Sequence, residues 1–241
     1  MNIKKFLVAA SSTIVGLALL AGPALAATTA LGTNWRVYNV KPATNSFWDI
    51  NKPKSDGSGG FTFPIQQFLT TTTGSFVVYF LNNYNIDMTG KTIEAVMNWT
   101  DNGTGAYVTR GDPADGAYVR LEFQDVTAGP YDSNDYWWST GTTDPNLALD
   151  LNAGTGDTLI ASLNSCVLWS NQSGKSACDN THDWVQWQGD IVHASPAEGF
   201  ANAVKNVKQV GLSFGRASAY ASGVALTGGT GTFNVSSFTI Q

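Results

Sequence analysis

The chain has 241 residues, which is enough for one large domain with a sizeable core. Charged residues make up only 13% of it, about half the share found in ordinary soluble proteins, and the formal net charge is −5. The absence of a basic surplus argues against nucleic acid as a partner. The surface must be built largely from uncharged polar residues, which suit neutral polar partners.

The first 26 residues have the layout of a secretory signal peptide. Lys4 and Lys5 precede an apolar run from residue 6 to about residue 20, and small residues follow at Ala24 and Ala26. We predict cleavage after Ala26, so that residues 27–241 form one mature domain that works outside the cytoplasm. An uncut membrane anchor is the alternative, but the run is shorter than the roughly 20 apolar residues of a membrane span. Without the two lysines, 11 basic and 18 acidic residues remain, a net charge of −7.

Alternation of apolar and polar residues with a period of two dominates the mature chain. In the segment 118–124, Val119, Leu121 and Phe123 alternate with polar residues, and the last segment alternates similarly with an irregularity at Ser236-Ser237. The pattern predicts strands at residues 35–40, 61–68, 75–81, 92–99, 118–124, 158–163, 183–188, 210–214 and 233–240. Many short strands joined by polar turns predict an all-β fold, a two-sheet antiparallel sandwich.

Two local features lie between the predicted strands. Cys166 and Cys178 are the only cysteines, and the oxidising setting implied by export predicts a disulfide between them. The run Ser195-Pro196-Ala197-Glu198 has the pattern of a capping box, which predicts one short helix ending at about Asn206. That pattern gives Glu198 a structural role.

Two groups of side chains are candidates for a ligand site. The first is the polar face of the segment 118–124, where alternate residues lie about 6.6–6.8 Å apart and can follow an extended ligand. The second is aromatic, because a ring covers the apolar face of a sugar while neighbouring polar groups bind its hydroxyls. One of Trp137 and Trp138 is expected to contribute from a rim loop. The candidate ligand-binding residues are Tyr118, Arg120, Glu122, Gln124, Trp137, Trp138, Trp184 and Gln186. The alternatives are an ordinary solvated strand face and rings that pack in a core.

The order of these segments resembles the galactose-binding-like jelly-roll superfamily, which includes many carbohydrate-binding modules of secreted bacterial enzymes. The resemblance rests on Phe47-Trp48-Asp49, on Asp87-Met88-Thr89-Gly90-Lys91-Thr92 before a core strand, and on Gly229-Thr230-Gly231-Thr232-Phe233 at the last strand. It implies a jelly roll in which residues 47–49 pack against or pair with the last strand. It also implies a structural calcium site at Asp49 and Asn234. Asn234 stands where many such modules carry Asp, and an amide brings no charge, so calcium would bind more weakly.

These features predict a secreted, non-catalytic protein that binds an extracellular or cell-wall polysaccharide. A structural protein of the cell surface or extracellular matrix is the first alternative, and a polysaccharide-degrading enzyme is the second. Glycosidases need two carboxylates, and the chain has only the glutamates Glu94, Glu122 and Glu198. Glu94 and Glu122 would meet only on neighbouring strands. Ser213 lies in a G-x-S-x-G match, but inside an alternating segment rather than at the sharp turn that a nucleophile needs.

Overall fold

The computed structural model describes residues 29–30, 35–40, 47–49, 54–55, 60–65, 67, 76–102, 105–109, 113–125, 135–140, 147–171, 176–178, 184–185, 192–193, 196–218 and 220–241. The predicted signal peptide, residues 1–26, lies outside these ranges. Within them, no helix combines the length and the apolar character needed to cross a bilayer.

Short strands make up most of the described chain, as the alternation predicts. They are β1 (Thr29–Ala30), β2 (Trp35–Val40), β3 (Phe47–Asp49), β4 (Lys54–Ser55), β5 (Phe61–Ile65), β6 (Phe76–Ile86), β7 (Thr92–Asp101), β8 (Tyr107–Thr109), β9 (Tyr118–Gln124), β10 (Tyr136–Ser139), β11 (Ala148–Asp150), β12 (Gly156–Ser162), β13 (Trp169–Asn171), β14 (Trp184–Val185), β15 (Val192–His193), β16 (Val207–Gly215), β17 (Val224–Leu226) and β18 (Gly231–Ile240). Short 3₁₀ turns lie at Pro113–Asp115 and Cys166–Leu168, and the helix α1 is Pro196–Val204.

Among the described residues, the strands form two main sheets and a small hairpin. The first, called the small sheet, has the order β12-β7-β18-β5-β4, with β1 paired to β18. The second, called the large sheet, has the order β13-β10-β9-β16-β6-β17-β8, with β11 on β9, β2 on β6, and β3 on β2. The hairpin joins β14 and β15. Neighbouring strands in both sheets run antiparallel wherever the structure describes their pairing.

The two sheets pack face to face, and aromatic rings join them. Phe214 on β16 contacts Phe63 on β5 and Phe233 on β18, with ring centroids 6.0 and 5.1 Å apart. At the other end Trp35 on β2 lies 5.1 Å from Phe238 on β18. We call the sides that meet here the inner faces and the opposite sides the outer faces. The predicted all-β, two-sheet antiparallel sandwich is therefore confirmed.

A second aromatic cluster closes one end of the core beneath helix α1. Phe200 on the helix lies 5.1 Å from Trp137, 5.9 Å from Phe123 and 6.4 Å from Trp169, measured between ring centroids. Trp137, Phe123 and Trp169 have no exposed surface. Aromatic side chains bury 150–250 Å² each, so this cluster fixes the helix against β9, β10 and β13.

Three local predictions are confirmed. Cys166 and Cys178 form a disulfide with their Cα atoms 5.0 Å apart. The last strand shifts register between Val235 and Ser237, where the irregularity was predicted. The helix begins at Pro196 and ends at Val204, about two residues before the predicted end.

Several predicted strand limits need correction. Of the strand predicted at 61–68, the structure describes Phe61–Ile65 and an isolated bridge at Gln67, and the strand predicted at 75–81 runs on to Ile86. Of the strand predicted at 183–188, the structure describes only Trp184–Val185. The short strands β11 and β13 were not predicted, because three residues are too few to establish alternation.

Candidate functional site

The predicted polar residues of β9 share the outer face of the large sheet with side chains from two neighbouring strands. Trp138 on β10 lies directly opposite Glu122 on β9 and Ser170 on β13, and Tyr136 lies opposite Gln124. Directly opposed residues of antiparallel strands point to the same side of a sheet. We call this group, with Tyr220 that packs on it, the outer polar cluster: Tyr118, Arg120, Glu122, Gln124, Tyr136, Trp138, Ser170 and Tyr220.

The polar face of β9 is not solvated as an ordinary strand face would be. Arg120 has 0% of its surface exposed, Glu122 1% and Gln124 3%, whereas Tyr118 is half-buried. Burying charged groups is costly unless they are paired, so such burial on an outer sheet face is unusual. The alternative that treated this row as an ordinary solvated face is therefore wrong.

The connection between β16 and β17 contributes to this burial, because it folds back over the face. The backbone N–H of Gly223 donates to the carbonyl of Phe214 at 2.9 Å, and Ser213 Oγ donates to the carbonyl of Tyr220 at 2.7 Å. The Tyr220 ring then lies edge-on to Trp138, with centroids 5.9 Å apart. Its hydroxyl is 3.4 Å from Thr140 Oγ1.

Arg120 lies between two tyrosine rings. Its Cζ is 4.4 Å from the centroid of the Tyr220 ring and 5.2 Å from that of Tyr118. A guanidinium over an aromatic face is attracted by the ring's negative face. Nη1 donates to the carbonyl of Arg216 at 3.3 Å. Burial lowers the pKa of Arg120 to about 10, against the opposing effects of Tyr220, Tyr118 and Asp115, so the group stays charged at neutral pH.

Glu122 lies in the middle of the cluster. Gln124 Nε2 donates to its Oε1 at 2.7 Å. Burial raises the pKa of Glu122 to about 7, even though hydrogen bonding from Gln124 and the nearby indole N–H of Trp138 both lower it. At neutral pH the carboxyl is thus near half-protonation and can donate or accept a proton in a hydrogen bond.

Several buried polar atoms of the cluster have no hydrogen-bond partner among the residues that the structure describes. They are Arg120 Nε and Nη2, Glu122 Oε2, Trp138 Nε1 and Ser170 Oγ. The Trp138 indole is close enough to affect the Glu122 carboxyl, so a small rotation would pair these two groups. An unpaired buried polar group costs about 1–3 kcal/mol, and more when it is charged.

The tryptophans predicted on a rim loop lie elsewhere. Trp137 and Trp138 are both on strand β10 and point to opposite faces of the sheet. Trp137 has 0% of its surface exposed and belongs to the aromatic cluster under α1, so it packs the core. Trp138 has 5% exposed and stacks on Tyr136, with centroids 6.0 Å apart and an interplanar angle of 13°. The expected loop position is wrong for both residues.

The remaining predicted ligand residues are only partly described. Trp184 lies on β14, in the hairpin with β15, and its side chain is outside the described part of the structure. Gln186 lies outside the described residues altogether. Their contact with a ligand stays a prediction.

The two predicted calcium ligands lie on different sheets. Asp49 is on β3, which pairs with β2 in the large sheet and not with the last strand. Packing of residues 47–49 beside the last strand stays a prediction. Asn234 is on β18 in the small sheet, and its Oδ1 accepts a hydrogen bond from Thr62 Oγ1 at 3.0 Å. The side chain of Asp49 is outside the described residues. Calcium binding at either residue stays a prediction.

The carboxylates of Glu94 and Glu122 do not form a catalytic pair. Glu94 lies on β7 between the core residues Ile93 and Ala95, so it points outward from the small sheet. Glu122 points outward from the large sheet, on the opposite side of the sandwich. The G-x-S-x-G match is also accidental, because Ser213 is buried inside β16.

Sequence reasoning missed Tyr220 and Ser170. Ser170 lies on a strand of three residues, and Tyr220 lies in a connection rich in Ser, Ala and Gly. Neither position has a periodic pattern, so no sequence signal placed these residues beside β9.

No protein-family model matches the chain, and no curated protein matches its sequence. Among solved structures, the chain is similar to a xylan-binding module CBM15, with a TM-score of 0.34 and 13% sequence identity. The alignment covers 88% of this chain and 96% of that one. A likeness at this level carries no information about a ligand, which has to be inferred from this chain's own residues.

Proposed function

We propose that the chain is a secreted, non-catalytic protein that binds an extracellular or cell-wall polysaccharide through the outer polar cluster. One observation carries the proposal: half-buried tyrosine residues border buried polar atoms that have no hydrogen-bond partner in the described part of the chain. Polar groups left unpaired inside a fold lower its stability, and a ligand that pairs them offsets this cost.

A sugar chain matches this combination of groups. The rings of Tyr118, Tyr136 and Tyr220 are half-buried and offer flat apolar surface to the C–H face of a sugar. The unpaired atoms of Arg120 and Ser170 offer hydrogen bonds to hydroxyl and other oxygen groups. Trp184 and Gln186 remain predicted members of the same site.

Export and the lack of catalysis are supported separately. The signal-peptide pattern of residues 1–26 and the Cys166–Cys178 disulfide both fit an oxidising compartment. Glycosidases place two carboxyl groups about 5–9.5 Å apart on one site. Glu94 and Glu122 point away from opposite sides of the sandwich and do not meet this requirement.

Titration calorimetry against a polysaccharide panel tests the proposal. The panel contains xylan, mixed-linkage glucan, galactan and cell-wall fractions. For a polymer that binds, Tyr136→Ala should weaken affinity about tenfold through lost stacking. Ile160→Ala is the matched control, because it truncates a side chain that is 38% exposed on the outer face of the small sheet. Unchanged affinity of Tyr136→Ala would show that the site is elsewhere, and a panel without binding would refute the function.

A structural role at the cell surface or in a matrix is the second candidate. The deep burial of Trp137 and Trp138 favours it, because neither ring is presented to solvent. Under this role no polysaccharide binds, and the protein associates with itself as its concentration rises. Sedimentation velocity over a hundredfold concentration range separates the two candidates. Release of reducing sugar from any panel member would instead indicate an enzyme.

A further inference from the structure

The environment of Arg120 allows an inference about the chemical class of the ligand. This inference rests on the proposed function. The side chain of Arg120 is fully buried, yet Nε and Nη2 have no hydrogen-bond partner within the ranges that the structure describes. Among the described residues at this end, an ion pair joins Arg216 Nε to Asp115 at 3.9 Å, and it does not include Arg120. A buried charge without a hydrogen-bonded counter-charge lowers the stability of the folded protein, so this guanidinium lacks a partner that would offset the loss.

The identity of the two unpaired atoms indicates which chemical group in a ligand would pair with the guanidinium. Nε and Nη2 form one edge of the planar guanidinium, with two roughly parallel N–H groups, whereas the bonded Nη1 points to the Arg216 carbonyl. Such an edge matches the two oxygens of a carboxylate, which it binds with paired, charge-assisted hydrogen bonds. A single sugar hydroxyl has one oxygen and cannot form two parallel hydrogen bonds with this edge.

The surroundings hold the guanidinium plane in place. The rings of Tyr220 and Tyr118 lie 4.4 and 5.2 Å from Cζ, and the bond to Arg216 fixes the remaining corner. A donor pair whose orientation is already fixed loses little entropy on binding, which raises affinity. Both tyrosines are only half-buried, so the inference places the entry of the ligand beside their rings.

The overall charge restricts how the carboxylates are distributed in the ligand. The chain has a net charge of −5, which disfavours a dense polyanion at long range. A sparse carboxylate on an otherwise neutral sugar chain avoids that repulsion and still supplies the counter-charge. We therefore infer that the polysaccharide carries isolated uronic acid units and that Arg120 binds their carboxylates through Nε and Nη2.

Calorimetry with matched polymer pairs tests this inference on the full chain. Glucuronoxylan, gum arabic and gellan are each compared with a derivative whose uronic carboxyls are reduced to alcohols. The wild-type protein should bind at least one acidic polymer about tenfold more tightly than its reduced form. Arg120→Lys keeps the charge and loses the paired edge, so it should abolish this preference, and the ratio of the affinities for the acidic and the reduced polymer is the readout.

Arg36→Lys is the matched control, since Arg36 is exposed on the outer face of the same sheet. It should retain the preference. If Arg120→Lys fails to fold, Arg120→Met provides the same comparison. Equal binding of acidic and reduced polymers would overturn the inference and leave the proposed function intact, with water rather than a ligand satisfying the edge. Binding of neither form, together with a panel that shows no binding, would overturn both.

Discussion

The two outer faces of the sandwich have the same alternating sequence pattern and opposite environments. On the small sheet, Asn98, Thr100 and Thr232 are exposed, and Asn234 and Glu94 are half-buried with hydrogen bonds from Thr62 and Gln241. On the large sheet, Arg120, Glu122 and Gln124 of β9 are buried, and some donors of this face have no partner among the described residues. Buried polar groups in folded proteins are normally hydrogen-bonded. The outer face of the large sheet departs from this rule and is therefore the stronger candidate for a functional site.

Of the substitutions predicted here, Trp138→Ala should lower the unfolding free energy the most. The ring is 5% exposed and packs on Tyr136 and Tyr220, so its removal leaves a cavity and should cost about 3–5 kcal/mol of unfolding free energy. Ile160→Ala, on the outer face of the small sheet, should cost less than about 1 kcal/mol. Urea denaturation followed by circular dichroism measures both. Similar losses of unfolding free energy in the two variants would mean that the two outer faces are equally exposed to solvent.

Glu122 should make stability depend on pH. Its folded-state pKa of about 7 lies above the ordinary value of 4.5, so the folded state keeps a proton that the unfolded state releases. Stability should therefore fall as pH rises from about 4.5 through 7, by up to roughly 3 kcal/mol. Glu122→Gln, which can still accept the bond from Gln124, should remove most of this slope, whereas Glu94→Gln on the small sheet should not. Denaturation midpoints between pH 4.5 and 8 measure it, and an unaltered slope in Glu122→Gln would contradict the assignment.

Arg120→Met should separate stability from binding. Replacing an unpaired buried charge with an apolar side chain of similar length should leave the unfolding free energy unchanged or raise it by about 1 kcal/mol. The same variant should lose preference for uronate-bearing polymers. Thermal unfolding and calorimetry measure the two quantities. A variant that is strongly destabilised would show instead that Arg120 is a structural residue.

Asn234→Ala on the small sheet should change the unfolding free energy the least. It removes the acceptor for Thr62 Oγ1, but the site is half-exposed and water can replace the bond, so the loss should be about 0.5 kcal/mol. Titration with calcium during the same unfolding measurements tests the predicted metal site. Stabilisation of the wild type and not of Asn234→Ala would support it, and no stabilisation of either would remove it.

Local sequence determined several parts of this protein because the causes are local. Val119, Leu121 and Phe123 alternate with polar residues, and burial of one strand face follows from that period. The helix that starts at Pro196 and the Cys166–Cys178 disulfide also depend on short-range chemistry. These local features were sufficient to predict the two-sheet sandwich without any knowledge of contacts between distant residues.

Only the tertiary structure decided which polar face is buried. Alternation states that Arg120 and Glu122 share a face, but it does not state what packs on that face. Tyr220 reaches Arg120 from a connection far along the chain, and Trp138 reaches Glu122 from the neighbouring strand. The environment of a polar side chain depends on such long-range contacts, so burial, pKa and unpaired donors are properties of the assembled sheets.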